Sequence, residues 1–404
     1  MKLSKVKLSL TKYRFKTFQF NITFKKKVKK IPVEGSMILN MLMKYEFDTE
    51  FTPFWMVTVA VPSTVAKTIT ENAEKVSVSL VLQKGKFKNG LKMDDTERVT
   101  WKTALKGDFK VRCHETLMKD ATEDELKQIR KEGNAYGEIS VITIAIYHKQ
   151  FIVNAARIVN FVLGNVYPQD IMAFVLANIG VRNVLFSPPA KVKEKKQYAL
   201  KPMPAKHLLQ ELQEDLQVHK QGTLIFFDLD RIYVIDKSPK CTAFSPGEFK
   251  NTYVVCNAKS KAASQTGGCY LWTEKKCNVV NAVNCIVKDK HGSVVDIVGG
   301  KTAHVSDTKV KKTTKNKKKI DRVINSSTNI KEYIQAVRES KRVICVVLTN
   351  IDIFMMTPNK QFIITTDNLE YKNINGKYRI TAMMHEFAKE GNYFSIKTTA
   401  ELRG

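Results

Sequence analysis

Apolar and polar positions alternate with a period of two over much of the first 160 residues. Val76-Ser77-Val78-Ser79-Leu80-Val81-Leu82 sets apolar side chains against serines, the pattern of a half-buried strand. Phe54-Trp55-Met56-Val57-Thr58-Val59-Ala60-Val61 reads as a strand closed by Pro62, and 139–147 as another. Asn89-Gly90 marks a tight turn. Helical spacing intervenes near 63–72. A second helix is expected from Thr122, where Thr122 and Glu125 have capping-box spacing, to a stop at Gly133.

The period changes after residue 160. Pro168 suits the first turn of a helix, Ile171, Phe174, Val175 and Ile179 give it an apolar face, and Gly180 ends it. Ser187-Pro188-Pro189 and the lysines of 191–196 read as a linker or exposed loop. Leu208, Leu209, Leu212 and Leu216 predict a helix over 205–218, stopped by Gly222. A hairpin follows, Thr223-Leu224-Ile225-Phe226-Phe227 and Arg231-Ile232-Tyr233-Val234-Ile235, turning at Asp228-Leu229-Asp230.

Strands are expected again from 241: at 253–256, 269–272, 279–287, 294–298, 342–348, 361–365, 378–385 and 393–400. Ile330, Tyr333, Ile334 and Val337 line one face of a helix over 330–338. Ile344, Val346 and Leu348 are expected on one side of a sheet, with Ile380, Ala382 and Met384 on a common face of their own strand. The run 342–348 is apolar on both faces and needs cover on both, from barrel closure or from other subunits. No short fixed-period repeat is present.

Length and charge narrow the classes. The chain has 404 residues, 43% hydrophobic and 26% charged, enough for two or three domains with real cores. The densest apolar stretch, 152–166, is interrupted by Asn154, Arg157 and Asn160, so no membrane insertion is expected. Met1 to Lys7 is basic with no apolar segment behind it, which implies synthesis and assembly in a cytoplasm. The formal charge of +28 suggests polyanions. However, only 12 of the 67 basic residues are Arg, the side chain that reads phosphates and bases with a planar fork. The aromatic residues also fall inside strand patterns instead of alternating with a basic stripe. A lysine-rich nucleic-acid-binding protein is therefore the alternative reading, and no specific nucleic acid is expected. The seven lysines within 309–319 read as a solvated loop.

Chemistry is sparse. Cys113, Cys241, Cys256, Cys269, Cys277, Cys285 and Cys345 are odd in number and lack zinc-knuckle spacing, so they read as reduced strand residues. His385-Glu386 lacks the second histidine of a zinc-protease helix and lies in a strand pattern. Asp228 and Asp230 read as turn residues. Cys113 and His114, as consecutive strand residues, face opposite ways. His148, His207, His219, His291 and His304 have no ligand spacing. No phosphate loop, dinucleotide fingerprint or nucleophile elbow occurs. No catalytic, cofactor-binding or metal residue is expected, no cofactor, and no enzyme, a hydrolase being the weaker alternative.

The C-terminal pattern carries a resemblance. It runs from helix 330–338 and strand 342–348 through Phe354-Met355-Met356-Thr357-Pro358. It continues with Asn375-Gly376-Lys377-Tyr378-Arg379-Ile380, Met384-His385-Glu386-Phe387 and Asn392-Tyr393-Phe394-Ser395-Ile396-Lys397. This resembles the ending of baseplate hub proteins of contractile phage tails and related injection machines, the late-control protein D family. Helix 205–218, Gly222 and the hairpin ending Ile232-Tyr233-Val234-Ile235 are similar as well. The large lysine excess is a departure from that family.

The resemblance implies a β-rich α+β fold, two tail-tube-like β-barrel domains with a small α+β unit between them. The implied division is 1–160, an N-terminal barrel with a helical insertion; 161–240, the α+β unit; and 241–404, ending in a second barrel at about 320–404. It further implies a homotrimeric adapter between a six-fold tail tube and a three-fold spike. Its partners would be other copies of itself, the tail tube protein, the central spike protein and other baseplate proteins. It would be made in the host bacterial cytoplasm and reside in the tail or baseplate of the virion.

Overall fold

The computed structural model describes residues 12–24, 29–87, 99–120, 138–180, 183–186, 195–216, 218–219, 222–229, 231–237, 250–256, 269–271, 285–288, 294–298, 301–305, 322–325, 343–359, 361–365 and 376–403. Strands β1 (Lys12–Phe24), β2 (Lys29–Pro32), β3 (Ile38–Glu46), β4 (Phe54–Pro62), β5 (Val76–Phe87), β6 (Trp101–Asp120) and β7 (Ile139–His148) come first, with helix α1 (Ser63–Glu71) after β4. Helix α2 (Lys149–Ala155) leads into β8 (Ile158–Val166), α3 (Pro168–Asn178), β9 (Val184–Phe186), β10 (Lys196–Pro204), α4 (Ala205–Asp215), β11 (Thr223–Phe227) and β12 (Ile232–Asp236). The last part holds β13 (Lys250–Cys256), β14 (Cys269–Leu271), β15 (Cys285–Lys288), β16 (Val294–Val298), β17 (Lys301–Val305), β18 (Arg322–Asn325), β19 (Val343–Thr349), β20 (Gln361–Thr365), β21 (Gly376–Glu390) and β22 (Tyr393–Arg403).

Eight strands close into an antiparallel barrel in the order β1-β5-β6-β7-β4-β3-β21-β22, with β22 returning to β1. Alternation decides what faces inward. Val76, Val78, Leu80 and Leu82 of β5 are buried, while Ser77 and Ser79 between them are not. Trp55, Val57, Val59 and Val61 of β4 and Met41, Met43 and Tyr45 of β3 fill the same interior. In β1 the register against β5 shifts between Thr17 and Gln19. Phe15 faces in before the shift and Phe20 and Ile22 after it, while the bulged Phe18 is 66% exposed.

The barrel is not drawn from residues 1–160 alone, because its last two strands are the C-terminal hairpin. A second circuit, β22-β19-β14-β13-β20-β21, uses the same hairpin. The two circuits divide it along its length. Residues 382–388 of β21 pair with β3, whereas Gly376 to Arg379 pair with β20. Lys397 to Arg403 of β22 pair with β19, whereas Phe394 meets Phe15 of β1. β15, β16, β17 and β18 form a separate four-stranded sheet.

One expectation is overturned where the hairpin passes from one circuit to the other. Ile380, Ala382 and Met384 do not share a face. The β21–β22 register shifts between Ile380 and Ala382, so an extra residue, Thr381, reverses the side-chain phase. Tyr378 and Ile380 point into the core before the bulge; Met383, His385 and Phe387 do so after it. In β19 the ladder to β22 is unbroken over 343–349; the side chains of Ile344 and Val346 lie outside the described residues. Val347 and Leu348 are both buried, so both faces of β19 are covered as its sequence requires.

The middle of the chain forms a lobe with its own core. Pro168 occupies the first turn of α3, Ile171, Met172, Val175 and Leu176 are buried, and Gly180 has φ +82. Phe174, expected on that face, stays 38% exposed and packs its ring on Phe161, centroids 5.0 Å apart. Helix α4 buries Leu208, Leu209 and Leu212 and ends at Asp215, short of 218. The β11–β12 hairpin forms as expected, with β9 alongside β12 in parallel. The expected linker or loop at 187–196 lies outside the described residues as far as 194, and β10, which pairs with β8, begins at its last residue, Lys196. The expected helices at 122–133 and 330–338, the turn at Asn89-Gly90 and the lysine run 309–319 lie outside the described residues.

Candidate functional site

The sites weighed from the sequence are dispersed. His385 and Glu386 are neighbours on β21 and face opposite ways. His385 is 1% exposed, its Nδ1 2.8 Å from Thr398 Oγ1, while Glu386 lies outside and pairs with Lys397 at 3.3 Å. Burial lowers the His385 pKa to about 3, so the ring is neutral inside the barrel. Asp228 makes the hairpin turn: its carboxylate accepts from the Leu229 N–H at 2.8 Å and its own N–H donates to the Arg231 carbonyl. Asp230 lies outside the described residues. His219 is buried beside Thr223 Oγ1 at 3.1 Å, whereas His207 is exposed on α4. Cys256, Cys269, Cys285 and Cys345 lie in strands β13, β14, β15 and β19. Among the described residues no group of three or more His, Cys, Asp or Glu could hold a metal ion, and no helix is long and apolar enough to cross a membrane.

What the structure does bring together is the junction of the two circuits. Asp48, in the turn after β3, receives a fork from Arg379, Nη1 to Oδ1 at 2.7 Å and Nη2 to Oδ2 at 2.9 Å. Arg403 Nη1 stands 3.6 Å from the same carboxylate. Burial alone would raise the Asp48 pKa, but Arg379, with Lys237 and Arg403 adding to it, holds it well below the usual carboxylate range. The bulged Thr381 donates its hydroxyl to Glu401 Oε1 at 2.7 Å, and its carbonyl accepts from the Phe47 N–H at 2.9 Å. The extra residue is therefore held from both sides. Beside it Phe47 meets Phe226 of β11 at 4.6 Å, and Tyr45 meets Phe226 at 6.0 Å and His385 at 5.6 Å. One aromatic cluster thus ties the lobe to the barrel and to the shared hairpin.

The barrel's thinnest seam lies between β1 and β22, where one residue pair makes the ladder. Asn350 stitches it from the end of β19. Its carbonyl accepts from the Tyr13 N–H and its N–H donates to the Ile396 carbonyl, both at 2.8 Å. It does so at φ +54, a left-handed conformation that asparagine tolerates. Arg14 lies 3.2 Å from Glu390, Lys84 pairs with Asp352, and Lys389 bonds the Ser36 carbonyl. Sequence reasoning missed these partners because each joins segments far apart in the chain.

This is a β-rich α+β protein in which a closed barrel and a second strand circuit share one hairpin. The chain belongs to the family of the bacteriophage PBS1 gene 109 protein, whose model matches residues 8–404. Among curated proteins none matches. Solved structures that are similar along the whole chain include a tail protein from Neisseria meningitidis MC58, 8% identical, with TM-score 0.48 and covering 96% of this chain and 97% of that one. The 43 kDa tail protein of prophage MuSo2 from Shewanella oneidensis is 8% identical, with TM-score 0.45, covering 97% and 96%. The prophage tail protein gp18 from Listeria monocytogenes EGD-e is 9% identical, with TM-score 0.42, covering 94% of each chain.

Proposed function

We propose that the protein is a non-enzymatic hub of a phage tail baseplate, a homotrimer adapting a six-fold tail tube to a three-fold spike. The observation that carries this reading is that one chain contains two closed circuits of strands joined through a single hairpin. Three chains would then present six circuits, which matches the mismatch an adapter must bridge. In this reading the chain divides into an N-terminal barrel domain at 1–160, the α+β domain at 161–240 and a C-terminal region at 241–404 that lends its hairpin to both circuits. The partners are two further copies, the tail tube protein, the central spike protein and other baseplate proteins, in the virion. Membership of a phage protein family supports the setting.

Native mass spectrometry and electron microscopy of the purified full chain test it. The expected result is a trimer whose map has three-fold symmetry around an inner ring of six similar densities. Monomers persisting at high concentration, with no ring in assembled particles, would overturn it.

A further inference from the structure

Two strands of the lobe stand apart from every other sheet. Among the described residues β8 and β10 pair only with each other, so each keeps a free edge. Edge strands are ordinarily guarded by charge, proline or short length. β10 is guarded, with Lys196, Lys201, Pro202 and Pro204. β8 runs nine residues, Ile158–Val166, with neither a charge nor a proline; a bulge at its end, where Asn165 has φ +57, leaves 158–163 as the regular stretch. Its inner face packs Val159, Phe161 and Leu163 against the lobe core. Its outer face leaves Ile158 65% and Val162 69% exposed, and Ala199, opposite Val162 in register, is exposed as well. A two-stranded ribbon is marginal by itself, and a bare edge beside an apolar face is a template for one more strand.

The surrounding charge selects the occupant. Arg157 directly precedes β8 and is exposed, exposed Lys195, Lys201 and Lys206 lie on or beside β10 across the ribbon, and the exposed acid Asp170 lies past the other end of β8. Arg157 also lines a cleft of about 600 Å³ with Arg231 and His148, where the one acidic lining residue is Asp228. A second copy of this chain would bring the same cations and a net charge of +28 to that rim. We propose that β8 accepts an extended segment of another protein, apolar or β-branched at alternate positions and acidic at the end lying over Arg157. Backbone hydrogen bonds along β8 supply affinity, the alternate apolar residues cover Ile158 and Val162, and the acidic end sets the register and rejects like-charged chains. The proposal is independent of the trimer.

Fluorescence anisotropy with the full chain tests it, using two labelled synthetic peptides that alternate valine and threonine, one flanked by glutamates and one by lysines. Hydrogen exchange then locates the contact. The glutamate peptide is expected to bind at least tenfold tighter than the lysine peptide and to slow exchange at 158–166. Arg157→Glu should reverse the preference, and Val162→Glu should weaken the glutamate peptide at least fivefold at unchanged melting temperature. Equal affinity for both peptides, or slowed exchange elsewhere, overturns the proposal. Protection of 158–166 that grows with protein concentration and no peptide also overturns it, because a second copy then covers the edge.

Discussion

β5 of the barrel and β8 of the lobe are both rich in branched apolar residues, yet they end in opposite situations. β5 lies between β1 and β6, with Val76, Val78, Leu80 and Leu82 turned inward and Ser77 and Ser79 outward. β8 has one neighbour, and its outer face shows Ile158 and Val162 to water. The comparison with β19 is sharper, since it too is apolar on both faces. It has β22 on one side and β14 on the other, and buries Val347 and Leu348 together. A strand apolar on both faces therefore demands two covers, and β8 is where the described part of this chain provides one.

The contrast can be broken or sharpened by substitution. The largest effect is expected in the closed region, at Phe226→Ala, which empties the cluster of Tyr45 and Phe47 and should cost about 4 kcal/mol by urea unfolding. If the lobe were loosely attached, the loss would be far smaller. Asp48→Ala leaves Arg379, 3% exposed, without its carboxylate, and about 3 kcal/mol is expected, with Asp48→Asn close behind.

Acid should act through the same region. His385 has its folded pKa lowered from 6.5 to about 3, so the unfolded chain takes up the proton first. Stability should be full above about pH 6.5 and fall toward pH 3, by about 2 kcal/mol at pH 5. Asp48, also lowered when folded, adds a further loss as pH drops below the ordinary carboxylate range near 4. Unfolding midpoints across pH, with His385→Gln flattening the upper part of the slope, check both signs. Gly391→Ala places a side chain at φ +62 in the hairpin turn and should cost about 1 kcal/mol. The smallest effect belongs to the open region: Val162→Lys should change stability by less than about 0.5 kcal/mol. A loss near that of Phe226→Ala would mean the outer face of β8 is already covered.

Several elements were legible residue by residue. α3 begins at Pro168 and stops before Gly180, and β11 and β12 turn at Asp228, because those signals act within a few residues. The strand setting of His385 also followed from spacing. The passage of the hairpin between two circuits was not legible. Thr381 looks like any strand threonine, and its bulge is held by Glu401 and by Phe47, distant in sequence. β10 carries no strand signal of its own, because Lys196, Lys201, Pro202 and Pro204 break any apolar alternation, and its pairing with β8 makes it a strand.

Periodicity settles which side of a strand is greasy and where a helix begins, since both are written in neighbouring side chains. It does not settle which strands lie side by side, because ladder bonds are made by backbone groups that every sequence shares. Folding alone brought Asp48 to Arg379, 331 residues away, and gave one hairpin to two circuits. Folding likewise left the edge of β8 uncovered among the described residues.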